Sequence, residues 1–334
     1  MNQTNITILA IESSCDDTAV AIIHNGKMLC NQVASQQIHE QYGGVVPELA
    51  SRAHQQNIVP LVDVALKQAN ITPENLSAIA FTAGPGLIGS LMVGCSFAKA
   101  MALSLNIPLI GVHHMQAHIL AHFIDEPKPQ FPFLCLTVSG GHTQLVKLTD
   151  YFTHEIIGHT IDDAAGEAFD KAAKILGLPY PGGPLIDKYA KTGNPLAFEF
   201  PVPQMPEFNY SFSGLKTSFL YFIQKQVAAN PQFIEQNLPD ICASIQHAII
   251  KQLMKKLIAA AKHTGINQIA LAGGVSANSA LRNALATEGQ KRHWQTFIPA
   301  FEYCTENAGM IAIAAHHKFL KGEFENQQTA PYAR

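Results

Sequence analysis

Four histidines fall within ten residues of GVHHMQAHILAH: His113, His114, His118 and His122. His114, His118 and His122 recur at i, i+4 and i+8, so on a helix they line one face about one turn apart. Two imidazoles at i, i+4 can hold one metal ion. A polar helix face, or core histidines bonded to carbonyls, would give the same spacing. A zinc peptidase needs HExxH, with the glutamate as general base. Here Met115 stands at that position and Gln116 cannot take a proton, so a peptidase would lack its base.

Two acidic segments could complete such a site. In YCTENAGM, Thr305 is the expected N-cap and Glu306 falls in the first helical turn. There Glu306 either complements the helix dipole or ligates a metal alongside two histidines. The opening IESSCDDTAVAI places Glu12, Ser13, Ser14, Asp16 and Asp17 at a hairpin turn. That turn is either plain surface or a phosphate or metal loop. Glu12 and Asp16 are the candidate catalytic groups, and no general base is assigned.

Three glycine-bearing segments suit a nucleotide. In TVSGGHT, Thr137, Ser139, Gly140, Gly141 and Thr143 could wrap a phosphate with amides and hydroxyls, although a hairpin turn explains the same residues. In IDDAAGEAFDKAAKILGLPYPGGPLID, Asp163, Glu167 and Asp170 share a helical face. The PGGP turn after them lets Gly182 and Gly183 approach a flat ligand, with Asp170 or Asp187 on ribose hydroxyls. In LAGGVSANSALR a buried strand delivers Gly273 and Gly274 to a helix start near Ser276 or Asn278, where the helix end favours phosphate.

The elements that must hold these residues alternate between strand and helix. ITILAIE (6–12) and TAVAII (18–23) read as a hairpin, with a third strand near KMLCNQVAS. Helical spacing over 46–69, a buried strand at 77–84, an apolar helix at 88–104 and a strand at 107–112 follow. The pattern then restarts. FPFLCLTVSGG (131–141) and TQLVKL (143–148) predict a second hairpin. Helices follow near 163–176, 213–227 and 236–263, then the strand QIALAGG, a helix from SANSALRNAL, and a helical tail over 305–321. The proline-rich DEPKPQFP (125–132) separates the halves. The boundaries are 1–126 and 127–308, with a C-terminal helix at about 309–334 expected to pack back on the first half.

Composition sets limits. A length of 334 residues fits about two domains at roughly 150 residues each. Charged residues are 14% of the chain, against roughly 25% in an average protein, which leaves surface for a partner to cover. The formal charge of −3 excludes a strongly basic nucleic-acid protein, though not a local basic patch. Lys251, Lys255, Lys256, Lys262, Arg282, Lys291, Arg292, Lys318 and Lys321 gather late in the chain. Neither a leader nor a membrane span is expected. The six dispersed cysteines read as reduced thiols of a cytoplasmic protein.

Taken together the motifs resemble one family. The run from Lys99 and Ala100 through LNIPLIGVHHMQAHI to Ile119 is similar to the signature of the TsaD family, once labelled glycoproteases. IESSCDDTAVAI, GGVVPELASR, TAGPGLIGSL, SGGHTQL, DDAAGEAFDKAAK, YPGGP, FSGLKT and GGVSAN extend the resemblance nearly end to end. It implies the α/β fold of actin, Hsp70 and sugar kinases (ASKHA), with two duplicated RNase H-like domains and nucleotide bound between them. It implies transfer of threonylcarbamoyl from threonylcarbamoyl-AMP to N6 of adenosine 37 in tRNAs reading ANN codons, with release of AMP. It implies one metal ion per subunit, iron or zinc with magnesium as an alternative, on His114, His118 and Glu306. The adenylate contacts it implies are Thr137, Val138, Ser139, Gly140, Gly141, Asp170, Gly183, Asp187 and Asn278. The implied partners are tRNA, a TsaB-type paralogue and a TsaE-type ATPase. Two positions depart from the family: Glu306 stands where aspartate is usual, and Gln116 where an acidic residue is usual. The competing classes are an ATPase or kinase on the same fold, which leaves the HMQAH helix unexplained, and a metallopeptidase, which leaves the nucleotide loops unexplained.

Overall fold

The computed structural model describes residues 5–203 and 205–333. Met1–Thr4, part of the segment read for a leader, lie outside the described residues. By its contacts the chain divides into two units, Met1–Lys128 with Pro299–Arg334, and Pro129–Ile298.

In the first unit, β1 (Thr7–Glu12) and β2 (Thr18–His24) form an antiparallel hairpin, with Glu12 opposite Ala19. β3 (Lys27–Ala34) extends it, and β4 (Ala78–Gly84) and β5 (Leu109–His113) add in parallel beyond β1. The order is β3-β2-β1-β4-β5. Every residue of β1 and β4 is buried, as expected of central strands covered on both faces. Two long helices, α1 (Pro47–Ala69) and α2 (Ile88–Leu105), end on Asn70 and Asn106, both left-handed. Asparagine tolerates that conformation better than most residues. α2 is long and apolar enough to cross a membrane, but it packs on β4 and α1 through Leu91, Cys95, Ala98 and Ala102. α3 (His114–Leu120) starts directly after β5.

The second unit repeats this scheme. β6 (Phe133–Val138) and β7 (Thr143–Leu148) form the hairpin, and β8 (His154–His159) extends it. α4 (Ala165–Ile175), α5 (Gly182–Ala190), α6 (Ser213–Ala229) and α7 (Phe233–Thr264) follow. β9 (Gln268–Ala272) lies parallel to β6; after α8 (Ser279–Arg292), β10 (Gln295–Phe297) lies parallel to β9. The order is β10-β9-β6-β7-β8. In each unit the hairpin's first strand is central, flanked by its partner on one side and a parallel strand on the other. The core gathers Leu134, Leu136, Phe169, Phe219, Ile249 and Leu253 from the sheet and the helices over it.

The last helix, α9 (Ala308–Lys321), packs on β1, β2 and α3 of the first unit. It stops at Gly322, left-handed at φ 71, where the helical tail read over 305–321 ends and short of a helix running to 334. The tail then runs extended along the same sheet, where Glu325 N–H donates to Leu109 O at 2.8 Å and Tyr332 N–H to Ala83 O at 2.9 Å.

Three elements differ from the sequence reading. β8 is largely exposed and β10 is only three residues long, so they carry little apolar signal. The PGGP segment is no free turn, because Gly182 opens α5 with Pro181 as its N-cap.

Candidate functional site

β1 ends on Glu12, whose side chain is fully buried. Its carboxylate accepts the Ser14 N–H and the Thr82 hydroxyl, both at 2.5 Å, and faces His114 Nδ1 at 3.1 Å. Ser14 Oγ lies 3.2 Å from the same nitrogen. A buried carboxylate on Nδ1 holds the proton there and leaves the Nε2 lone pair free to bind, as behind metal-bound histidines. Burial raises the Glu12 pKa, but attraction to His114 when that ring is protonated, and the hydrogen bonds from His114, Ser14 and Thr82, outweigh it and hold the carboxyl below its usual range. His118 lies one turn along α3, its ring edge-on to His114 with centroids 4.7 Å apart. His122 falls on the 3-10 turn after α3 and is also buried.

Glu306 precedes α9. The N-cap is Asn307, whose Oδ1 accepts the Met310 N–H at 3.0 Å, rather than Thr305. Glu306 is therefore outside the first helical turn, and the dipole role expected there is not available to it. One of its oxygens accepts the Asp17 N–H, while Oε2 is buried without a hydrogen-bond partner. Burial, then the charges of Glu12, Asp16 and Asp17, push its pKa well above the usual value. Such a group asks for a proton or a cation. Ligand atoms of Cys15, Asp16 and Glu306 lie within 4.8 Å of one another. Burial and then the charges of Glu306, Asp16 and Glu12 raise the Cys15 pKa. Sequence reasoning passed over Cys15 as one of six scattered thiols. Its place between Ser14 and Asp16 in the acidic turn was the available signal.

In the second unit the SGG turn closes the β6–β7 hairpin, with Ser139 N–H donating to His142 O at 2.8 Å and His142 N–H to Ser139 Oγ at 3.0 Å. A Cβ added at Gly140 or Gly141 would meet nothing within 4 Å, so the turn's backbone stands open. The start of α4 abuts it, and Gly166 N–H donates to Ser139 O at 3.2 Å. The hydroxyls expected beside the turn point elsewhere. Thr137 is buried with its Oγ1 near Cys135, and Thr143 Oγ1 accepts the Ala165 N–H at 2.9 Å. Val138 is buried too, and its carbonyl would lie 2.5 Å from any Cβ on Gly273, which is left-handed at φ 83. Thus Ser139, Gly140 and Gly141 remain open, while Thr137 and Val138 build the strand beneath.

The other polar candidates brace helix starts. Asp170 Oδ1 accepts the Gly182 and Gly183 N–H groups at 2.9 and 3.0 Å, and burial raises its pKa. Asp187 accepts the Ser279 N–H at 3.2 Å and hydroxyl at 2.8 Å. Asn278 caps α8 through Leu281 N–H at 3.0 Å and donates to Gln246 at 2.7 Å. Asp163 and Glu167 both pair with Lys171 at 2.7 Å, as a partly solvated ion-pair network.

The two constellations, a polarised His–His–carboxylate region and an open glycine turn against a helix start, coincide with a sequence match. The family model for TsaD, tRNA N6-adenosine threonylcarbamoyltransferase, matches residues 27–313. The chain belongs to the TsaD family. A tRNA N6-adenosine threonylcarbamoyltransferase of Christiangramia forsetii is 63% identical over 337 residues, covering 100% of this chain and 99% of the relative. One of Cytophaga hutchinsonii is 61% identical over 330 residues, covering 99% and 96%. As a TsaD protein the chain is an acyltransferase that modifies adenosine in tRNA. Two solved structures share the fold. Full-length HypF in its phosphate- and nucleotide-bound form has a TM-score of 0.60 at 14% identity, over 96% of this chain and 47% of that one. Component A of Acidaminococcus fermentans (R)-2-hydroxyglutaryl-CoA dehydratase has a TM-score of 0.55 at 15% identity, over 94% and 98%. The TsaD fold here is thus the ASKHA α/β fold expected from the sequence, and the peptidase and kinase alternatives give way to the transferase.

Proposed function

We propose that the donor is threonylcarbamoyl-AMP and the acceptor the exocyclic amine of adenosine 37 in tRNAs reading ANN codons. The N6 lone pair attacks the carbamoyl carbon, a C–N bond forms, the bond to the phosphate oxygen breaks, and AMP departs with that electron pair while N6 loses a proton. The leaving group is good and the amine poor, because its lone pair is delocalised into the purine. Orientation and carbonyl polarisation therefore dominate the barrier. Adenosine 37 must be unstacked to react.

His114, His118 and Glu306 would hold one metal ion, iron or zinc, with Asp16 and Cys15 beside it. The unpartnered Glu306 oxygen beside Cys15 and Asp16 fits a cation, and the Glu12–His114 bond fits a metal-binding imidazole. Bound there, the metal would supply Lewis-acid polarisation of the donor's carbonyl or threonyl oxygens. Glu12 orients His114, which makes it a positioning residue. In the second unit the amides of Ser139, Gly140 and Gly141 and the α4 start receive the phosphate, with the starts of α5 and α8 at Gly183 and Asn278 beside the nucleoside. Asp170 and Asp187 fix those helix starts. The reaction runs in the cytoplasm with a TsaB-type paralogue and a TsaE-type ATPase.

The observation that carries this reading is the buried, unpartnered Glu306 oxygen among Glu12, Asp16 and Asp17. The test is reconstitution with donor and an unmodified tRNA transcript, with nucleoside mass spectrometry locating the product. Modification at another position, or equal product from wild type and His114→Ala, refutes it.

A further inference from the structure

Seven of the nine basic residues late in the chain separate once their partners are known. Lys256 is buried and donates to the carbonyls of Met205 and Glu207. Lys318 donates to Gly111 O, Arg282 to Ser276 O, and Arg292 pairs with Glu288. These charges serve the fold. Lys251, Lys255 and Lys262 on α7 are exposed and form no ion pair among the described residues.

On a helix these three and His247 fall within about 80° of one another, along roughly 22 Å of axis. The rest of α7 around them is mostly buried, so the stripe is the helix's solvent face. From His247 to Thr264 the helix carries no Asp or Glu. Glu199 lines the hollow that His247 and Lys251 share, without forming an ion pair. Burial and the Lys251 charge push the His247 pKa down, so the lysines carry the positive charge. A single-sign row on a chain of net charge −3 is uneven placement, and unpaired lysines in series match a polyanion.

We infer that Lys251, Lys255 and Lys262 on the exposed face of α7 hold the phosphate backbone of the tRNA substrate. The row reads no sequence. It supplies the charge neutralisation that the chain as a whole lacks. The inference rests on tRNA being the substrate, and not on the donor or the metal.

The experiment measures binding of an unmodified tRNA transcript to the full-length protein over a salt series, for wild type, K251Q/K255Q/K262Q and K251R/K255R/K262R. Each phosphate contact contributes about 0.9 to the slope of log K against log salt. The glutamine triple should lose about 2 to 3 in slope and bind at least roughly tenfold more weakly at low salt, while the arginine triple keeps both. In the reconstituted reaction the glutamine triple should raise KM for tRNA and leave KM for the donor unchanged. Equal slope and affinity in the glutamine triple and wild type would overturn the inference. So would unchanged tRNA binding with loss of an acidic protein partner, which would give the face to that protein. Absence of wild-type tRNA binding at low salt also overturns it. A dead reaction with normal tRNA binding counts instead against the proposed chemistry.

Discussion

Glu12 Oε2 lies 3.1 Å from His114 Nδ1 across 102 residues of chain, inside the first unit. This bond gives the histidine its tautomer, and it joins the end of β1 to the start of α3. Glu12→Gln keeps an acceptor but removes the charge. Metal affinity should fall roughly 10- to 100-fold, as for other partners behind metal-bound histidines, with little change in Tm. Glu12→Ala also strands the Thr82 hydroxyl and Ser14 N–H, at about 1–3 kcal/mol for each buried group left unmet. Elemental analysis with thermal melting separates the two effects. Full metal occupancy in Glu12→Gln at limiting metal would refute the orienting role.

Glu306→Ala should abolish metal retention, and Glu306→Asp, the family's usual residue, should keep it. Because Asn307 caps α9, neither change removes a cap. The metal-free Glu306→Ala protein should melt no lower than metal-free wild type, since it loses a buried carboxylate among three others. His122→Ala should retain metal. A lower melting point in Glu306→Ala with metal content unchanged would mean that Glu306 is structural.

Asp17 and Glu306 should each contribute less to the stability of the metal-free protein as pH rises through the carboxylate range. Burial and the Asp16 and Glu12 charges raise Asp17 from 3.8 to about 6, and Glu306 is raised well above 4.5. A carboxyl with a raised folded pKa leaves the fold most stable below its unfolded pKa. That stability is lost as pH climbs toward the folded value. The fall should begin near pH 4, and Glu306→Gln should flatten it. Denaturant melts from pH 4 to 8 give the curve. A stability difference between wild type and Glu306→Gln that does not fall across that range would contradict the raised Glu306 carboxyl.

Neighbouring glycines should behave oppositely. A Cβ on Gly182 would lie 2.3 Å from Ala173 Cβ, whereas one on Gly183 meets Phe169 Cβ at an ordinary 3.7 Å. Gly182→Ala should destabilise by about 1–3 kcal/mol through overpacking. Gly183→Val should fold and weaken AMP binding. Calorimetry that finds wild-type AMP affinity in folded Gly183→Val would remove the nucleotide from that position.

The chain alone should turn over poorly even with donor supplied, and reach full activity only with TsaB- and TsaE-type partners. Val59 and Val64 of α1 and Met92 and Leu103 of α2 are exposed apolar residues on the first unit. If they join into one surface, it would suit a protein partner. Met92→Asp should leave the melting point near wild type and lower the stimulation by the TsaB-type partner. Robust multiple turnover by the chain alone would end this expectation.

The two hairpins and the long helices were legible because each depends on local periodicity and turn chemistry. Ile8 to Ile11 and FPFLCL are continuous apolar runs, and that pattern suits a strand covered on both faces. β8, α5 and β10 were not legible, because HEIIGH, GGPLIDKYA and QTF carry weak or contrary local signals and take their form from neighbours.

The sequence by itself determined the family and the donor inventory: which histidines, carboxylates and glycine turns exist, and at what spacing along helix or strand. Tertiary structure alone decided which of them meet. Glu12, His114 and Glu306 are far apart in the chain, so no local period connects them. Only the pairing of β1 with β4 and β5, and the packing of α9 on that sheet, brings them into one unit. Tertiary structure likewise turned Thr137 and Thr143 inward and gave Asp170 and Asp187 to helix starts. A side chain's polar atoms go to whatever unsatisfied backbone group the fold leaves beside them, and sequence spacing does not record that neighbour.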